Sequence, residues 1–464
     1  MNFPFVSSPA TLDWRRSFFW LAVAVICFSA AYTSLTPAAA GLMILGYAVA
    51  LTRLGDQPTV RRAFYFGLTA GFLCFASQLF FLFRIFNVAA LVLWLVLAFW
   101  SGLFTALVGG MHGRFGKKTA AWLIPFVWTG LEYFRSELYF LKFSWLNIGY
   151  ALPVASLPFT CWGRYGLGFL VLALSSIVIY LRPKVSVAAL VAVSVAVILG
   201  NAITVAKKSS PKLTLVGVQL EFPPVGILPK LLNQALAKHP DAAIFVLSEY
   251  TLDGPPPPAL TAWCREHSRW LVVGGKAPIG TNDYYNTAYV IGTNGDILCH
   301  QGKSVPIQFF HDGRPAPEQK IWNSPWGKIG LCICYDLSYT RVTDELIRQG
   351  AQLIICPTMD VEFWGRHQHE LHSRVAPVRA AEYGVPIFRV ASSGISQAVT
   401  DSGQVIAQTA IPGTGAIFAA QLGLPNCGGV PRDRFLALFC VGLTGLILGR
   451  LLFLHRRDLR QDGK

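Results

Sequence analysis

The chain has 464 residues, 53% of them hydrophobic and only 14% charged, where an average soluble domain carries about 25% charged residues. The formal charge of +15 is scattered over short segments between apolar runs, which excludes the single basic face of a nucleic-acid-binding protein. The same composition excludes a wholly soluble globular protein.

From residue 17 to about 206 the sequence is a series of apolar runs, and one more follows from 435 to 454. A run of about 20 apolar residues matches the hydrocarbon core of a bilayer. Eight membrane-spanning helices are predicted, near 17–33, 38–54, 63–83, 88–109, 119–134, 159–181, 185–205 and 435–455. The first run has no small-residue cleavage site ahead of a soluble domain, and further spans follow directly, so it reads as an anchor rather than a signal peptide. With eight crossings, the clusters Arg15/Arg16, Arg53/Arg61/Arg62, Arg114/Lys117/Lys118, Arg182/Lys184 and Arg450/Arg456/Arg457/Arg460 all fall on one side. Positive charge marks the cytoplasmic side. Both termini are therefore expected in the cytoplasm, with the long region before the last span outside it. The predicted domains are 1–208 (seven helices), 209–428 (extracytoplasmic) and 429–464 (last helix and tail). Glu132, Arg135 and Arg164 lie near span ends, where a charge is either functional or interfacial. Trp145, Tyr150 and Trp162 read as an interfacial belt or the lining of a lipid path.

The region 209–428 alternates short β-rich runs with helical patterns. Strands are expected at 213–219, 243–247, 270–274, 288–292, 328–334, 353–357, 387–390 and 397–400, and helices at 231–237 and 375–383. This alternation predicts an α/β or layered fold around a buried sheet. Thr293-Asn294-Gly295-Asp296 and Asp401-Ser402-Gly403 are hairpin turns. Of the ten cysteines, Cys27, Cys74, Cys161 and Cys440 fall in apolar runs, and Cys264, Cys299, Cys332, Cys334, Cys356 and Cys427 in this region. Their spacing matches no zinc or disulfide framework, and no disulfide is expected to be required. His367, His369 and His372 raise the idea of a metal site, but no carboxylate or cysteine stands in a matching position. No metal and no cofactor are expected.

Three ionisable residues each end an apolar strand: Glu249 after Ile244-Phe245-Val246-Leu247-Ser248, Lys303 after His300-Gln301-Gly302, and Cys334 after Gly330-Leu331-Cys332-Ile333. Alone, they read as a turn carboxylate, a surface lysine and a buried thiol. Together they make one mechanism. A thiol must lose its proton to attack, a carboxylate can take that proton and return it to a leaving group, and an ammonium with a backbone N–H can steady the oxyanion formed.

In the order Glu249, Lys303, Cys334 the region resembles the nitrilase, or carbon–nitrogen hydrolase, superfamily, with Cys334-Tyr335-Asp336 as the nucleophile motif. Tyr285-Asn286-Thr287-Ala288, Arg379-Ala380-Ala381-Glu382, Pro386 and Ser392-Ser393-Gly394-Ile395 are similar to its other landmarks. The resemblance implies a four-layer α-β-β-α sandwich. The membrane part narrows it: Trp128-Thr129-Gly130-Leu131-Glu132-Tyr133-Phe134-Arg135, Phe143-Ser144-Trp145-Leu146-Asn147-Ile148-Gly149-Tyr150 and the His367-Gln368-His369 stretch resemble the apolipoprotein N-acyltransferase family. That resemblance implies a bacterial inner-membrane enzyme. It would move a fatty acyl chain from a phospholipid, through a Cys334 thioester, to the N-terminal amine of a diacylated apolipoprotein. Glu249, Lys303 and Cys334 would be catalytic, with Tyr335, Asp336 and Asn286 at the substrate or oxyanion. A monomer is expected. The alternative is a membrane-tethered amidase of the same superfamily. Three departures from the family pattern stand out. After Lys303 the run Val305-Pro306-Ile307-Gln308-Phe309-Phe310-His311-Asp312 lacks the family's second glutamate, with Gln308 and Asp312 as the nearby polar residues. Asp336 stands where the acyltransferases usually carry glutamate, and Glu221-Phe222-Pro223-Pro224 replaces the tryptophan of the first loop.

Overall fold

The computed structural model describes residues 14–33, 36–181, 212–413, 415–426 and 428–462, with the single positions 184, 188 and 195. The chain divides into two compact units, residues 1–203 with 432–464, and residues 204–431.

The first unit is helical. Its long helices are Trp14–Ala31, Pro37–Leu54, Val60–Gln78, Ala89–Phe115, Lys117–Tyr133, Phe159–Tyr180 and Asp433–Asp462. Among the described residues, five are long and apolar enough to cross a membrane, Val60–Gln78 and Lys117–Tyr133 being the two that are not. The count of eight is thus carried only to five. The span expected at 185–205 lies almost wholly outside the described residues, and the run expected at 63–83 ends at Gln78 before a short helix, Phe81–Phe86. Small residues let helices touch. A Cβ on Gly67 would lie 2.0 Å from the Thr105 hydroxyl, which itself donates to the Ala63 carbonyl at 2.7 Å, the close approach on which helices in lipid rely.

Among the described residues, the second unit is built from twelve strands in two six-stranded sheets. The first sheet holds β1 (Lys212–Val218), β2 (Ile244–Leu247), β3 (Trp270–Ile279), β4 (Asp283–Ile291), β5 (Ile297–Gly302) and β12 (Ile417–Gly423), in the order β12-β1-β2-β3-β4-β5. The second holds β6 (Ile321–Ser324), β7 (Gly327–Leu331), β8 (Leu353–Pro357), β9 (Ile387–Val390), β10 (Gln397–Val399) and β11 (Val405–Gln408), in the order β11-β10-β9-β8-β7-β6. Each sheet has a parallel trio at its heart, β1-β2-β3 and β7-β8-β9, flanked by antiparallel strands.

Period-two patterning places the core. Leu213, Leu215, Ile244 and Val246 point between the sheets, where they meet Ile329, Leu331, Ile355, Phe388 and Val390. Their neighbours Val216, Val218, Phe245 and Leu247 point outward, against Leu228 and Leu232 of helix Leu228–Lys238 and Leu260 and Trp263 of helix Pro258–His267. Helices Thr340–Arg348 and Val375–Tyr383 pack on the strands of the second sheet. Each fully buried aliphatic side chain contributes about 1.5–3 kcal/mol, so the four-layer sandwich follows directly from the alternation along the strands.

Candidate active site

The end of β2 delivers Glu249. Gly274 on the neighbouring β3 permits it, because a Cβ there would lie 2.5 Å from the Glu249 Cα. Lys303 follows β5. Cys334 follows β7, but the strand expected to reach it stops at Leu331. The reason lies in Asp336, whose carboxylate accepts the Ile333 N–H at 3.2 Å and draws the chain into the short 3₁₀ turn Cys334–Ser338. Cys334 itself sits at φ +52°, a left-handed conformation that costs a non-glycine residue about 1–3 kcal/mol and persists only where its surroundings enforce it.

These side chains converge. The Lys303 ammonium lies 2.9 Å from Glu249 Oε1 and 2.7 Å from Asp312 Oδ2, all three fully or almost fully buried. Asn286 on β4 donates to Glu249 Oε1 at 2.5 Å and to Asp312 Oδ1 at 2.9 Å. Asp312 is held further by the Tyr250 hydroxyl at 2.7 Å and the Ile307 N–H at 2.8 Å. The backbone of Met359 links Glu249 to the thiol: its N–H donates to Glu249 Oε2 at 2.6 Å, and its carbonyl accepts from Cys334 Sγ at 3.6 Å.

The electrostatics separate the two carboxylates. Burial raises the pKa of Glu249 above the ordinary range, against the pull of Lys303. Burial acts on Asp312 too, but there Lys303 and the Ile307 N–H outweigh it, and Asp312 stays below the ordinary range. Burial opposes the Lys303 ammonium, yet Asp312 and Glu249 together hold its pKa well above the usual lysine value. Burial, then the Glu249 charge, push the Cys334 thiol well up, so the resting sulfur is protonated.

A cavity of about 450 Å³ abuts this cluster, lined by Phe222, Val225, Tyr250, Ile307, Phe310, Asp312 and Met359 among others. It ends on Asp312, Tyr250 and Met359, the residues in contact with Lys303, Glu249 and Cys334. Cys334 is only 2% exposed, behind Met359. Mostly apolar walls with a few convergent polar groups suit an amphiphile.

Not every expected site residue plays the part foreseen. Asp336 is wholly buried, and its carboxylate accepts backbone N–H groups from Ser304 (3.0 Å), Val305 (2.7 Å) and Ile333. An acceptor so engaged braces the chain after Lys303 and offers no donor to an oxyanion, even though burial pushes its pKa up to about 6. Asn286 spends its amide N–H groups on the two carboxylates. The peptide of Tyr335 directly follows Cys334. Asp312 is the second carboxylate on Lys303, and the Met359 backbone had no signal in the sequence at all. Of the three histidines, His372 contacts Asp360 at 2.7 Å, His369 the Val361 carbonyl at 3.0 Å, and His367 pairs with Glu370 at 3.8 Å. Among the described residues no group of three or more His, Cys, Asp or Glu side chains is placed to hold a metal. The nine described cysteines are free thiols, and Cys427 lies outside the described residues.

In the helical unit, Glu132, Arg135 and Arg164 are buried within the protein. Glu132 accepts the Ile148 N–H at 2.9 Å, Arg135 bonds the Asn147 side chain at 2.6 Å, and Arg164 bonds Glu137 at 2.5 Å. Tyr150, expected in an interfacial belt or along a lipid path, is buried and accepts a hydrogen bond from Arg164. Trp145 is buried as well.

A buried thiol, a carboxylate and an ammonium at the strand ends of a double-sheet sandwich define the carbon–nitrogen hydrolase class. The family model for carbon–nitrogen hydrolases matches residues 208–431, and that for the apolipoprotein N-acyltransferase N-terminal domain matches residues 23–177. An apolipoprotein N-acyltransferase from Geobacter metallireducens is 23% identical over 85% of this chain and 87% of its own length. A deaminated glutathione amidase from Dictyostelium discoideum is 27% identical over 31% of this chain and 56% of its own length. A carbon–nitrogen hydrolase of known structure from Helicobacter pylori G27 is 18% identical, covers 54% of this chain and 97% of its own, and superposes with a TM-score of 0.41. The chain belongs to the apolipoprotein N-acyltransferase family of the carbon–nitrogen hydrolase superfamily.

Proposed function

We propose that this chain is a membrane N-acyltransferase that carries a fatty acyl group on Cys334. The observation that carries the reading is the convergence of Glu249, Lys303 and Asp312 beside a buried thiol, with Asp312 and Met359 also lining an adjoining apolar cavity. Glu249 takes the proton of the Cys334 thiol, and the thiolate attacks an ester carbonyl of a phospholipid. The oxyanion is steadied by the Lys303 ammonium and the Tyr335 N–H. Glu249 returns the proton to the departing lysophospholipid alcohol, leaving a thioester. The amine of an N-terminal diacylglyceryl-cysteine then attacks that thioester, giving its proton to Glu249, and the collapsing intermediate releases an amide and the thiol.

The opposite pKa directions of the two carboxylates support this division of labour. Groups whose environments push their pKa values apart take different roles. Asp312 remains the counter-ion of Lys303 while Glu249 exchanges protons. The charge bias of the loops supports a sandwich on the extracytoplasmic face with both termini in the cytoplasm, and a monomer suffices for the chemistry.

The acceptor decides between this reading and the amidase alternative. Purified enzyme with phospholipid and a diacylated lipopeptide is expected to give the triacylated peptide with little free fatty acid. Release of ammonia or an amine from small amides, with no transfer to the lipopeptide, would overturn the acyltransferase reading.

A further inference from the structure

Outside the cluster just described lies a second buried ionic group, which the mechanism does not use. Asp360, after β8, is completely buried, and its carboxylate meets His372 Nδ1 at 2.7 Å, Gln368 Nε2 at 3.0 Å and the Arg389 guanidinium. His372 and Gln368 come from helix Arg366–Ser373, and Arg389 from β9. The Asp360 peptide is clamped as well. The Ser392 hydroxyl accepts its N–H at 3.0 Å and donates to its carbonyl at 3.0 Å, and the Ser393 N–H donates to that same carbonyl at 3.1 Å. Gly394 leaves room for it, since a Cβ there would lie 2.6 Å from the Asp360 Cβ. On the other side of Met359, the Thr358 N–H bonds the Val390 carbonyl at 2.8 Å.

Met359 is therefore held on both sides, although its own side chain only lines the cavity. Its backbone touches both Glu249 and Cys334, through the N–H of one peptide and the carbonyl of the next. We propose that Asp360, fixed by His372, Arg389 and Ser392, is the positioning residue of the active site: it aims the Met359 N–H at Glu249 and the Met359 carbonyl at the Cys334 thiol.

The consequence has a sign. An N–H aimed at a carboxylate favours its charged form, so slackening the Met359 peptide raises the pKa of Glu249 and moves the acid limb of acylation to higher pH. The other groups facing Glu249 are Lys303, Asp312, Cys334, Tyr250 and the neutral Asn286. Ser392→Ala alters none of them, whereas the Asp360 charge also holds the Cys334 thiol up, so Asp360→Asn acts on Cys334 as well.

The inference rests on Cys334 being the reactive thiol, so two readouts are paired. One is the pH dependence of Cys334 acylation by phospholipid in the full-length enzyme. The other is the pH dependence of Cys334 alkylation by iodoacetamide, which needs no lipid. Ser392→Ala removes only a hydroxyl. Asp360→Asn strips the counter-ion from buried Arg389 and can unfold the sandwich, which is why Ser392→Ala is the deciding variant. Ser392→Ala is expected to slow acylation about fivefold or more, leave the half-saturating phospholipid concentration within about twofold, and raise the acid limb by about 0.5–1 pH unit in both readouts. Asp360→Asn, where it folds, is expected to move the limb further the same way. An unmoved limb in Ser392→Ala, whether or not the rate falls, would overturn the proposal. If wild type forms no acyl-enzyme, the functional reading fails instead, and the alkylation profile alone decides the positioning role.

Discussion

Each unit of this protein buries a cluster of carboxylates and cations, and the two clusters are built for different ends. In the helical unit, Arg164 is matched to Glu137 and Arg135 to Asn147, while Glu132 takes the Ile148 N–H. The open space beside Glu132 and Arg135 is only about 20 Å³, room for about one water. In the sandwich, one ammonium is shared by two carboxylates of opposite pKa direction, a thiol lies behind them, and the adjoining cavity is about 450 Å³. Buried charge alone therefore says little about chemistry. What separates the two sites is a thiol, a pair of carboxylates driven apart, and an adjoining cavity.

The largest effect should come from removing the nucleophile. Cys334→Ala is expected to abolish acyl transfer, a loss on the order of 10⁴-fold or more, with the thermal midpoint within a few degrees of wild type. Residual transfer within tenfold of wild type would place the chemistry elsewhere. Glu249→Gln keeps the shape but not the base, and a fall of about 10²–10⁴-fold in acylation is expected. In wild type, the single-turnover rate should fall as pH drops through the Glu249 pKa, which burial raises, so the acid limb should lie above the ordinary carboxylate value of about 4.3. A limb at or below that value would contradict the assignment of the base.

Asp312→Asn tests the sharing of Lys303. One counter-ion is lost, and an uncompensated buried charge costs about 3–5 kcal/mol. Acylation should drop about ten- to a hundredfold, with a lower midpoint in thermal denaturation. The smallest catalytic effect should come from the helical cluster. Arg164→Met is expected to destabilise the protein by about 3–5 kcal/mol, yet leave acylation by the folded fraction within about threefold. Loss of acylation at unchanged stability would break the distinction between the two clusters.

Much of the sandwich was legible in the sequence because its signals are local. The alternation of Leu213 and Leu215 with Val216 and Val218 specifies two faces whatever else the chain does, and Glu249, Lys303 and Cys334 stand at the ends of runs of this kind. Contacts made by backbone, or by loops far apart in sequence, leave no such mark. The Met359 peptide reaches Glu249 through geometry alone. Asp312 is one polar residue among several in the run after Val305-Pro306, and only the folded loop shows that it meets Lys303. The spacing of the three histidines matches no metal site, and it cannot reveal that Asp360 and Arg389 contact His372. In the helical unit the apolar runs marked the helices well. The burial of Arg135 and Arg164 could not be read, because hydropathy does not show whether Asn147 and Glu137 are there to receive them.

The central claim is that Cys334 carries the acyl chain, and intact mass of the full-length protein tests it most directly. After incubation with a phospholipid of defined chain length, the expected result is one added acyl mass on Cys334 that is lost with hydroxylamine and absent from Cys334→Ala. An unmodified mass under turnover conditions, or an adduct that persists in Cys334→Ala, would contradict it.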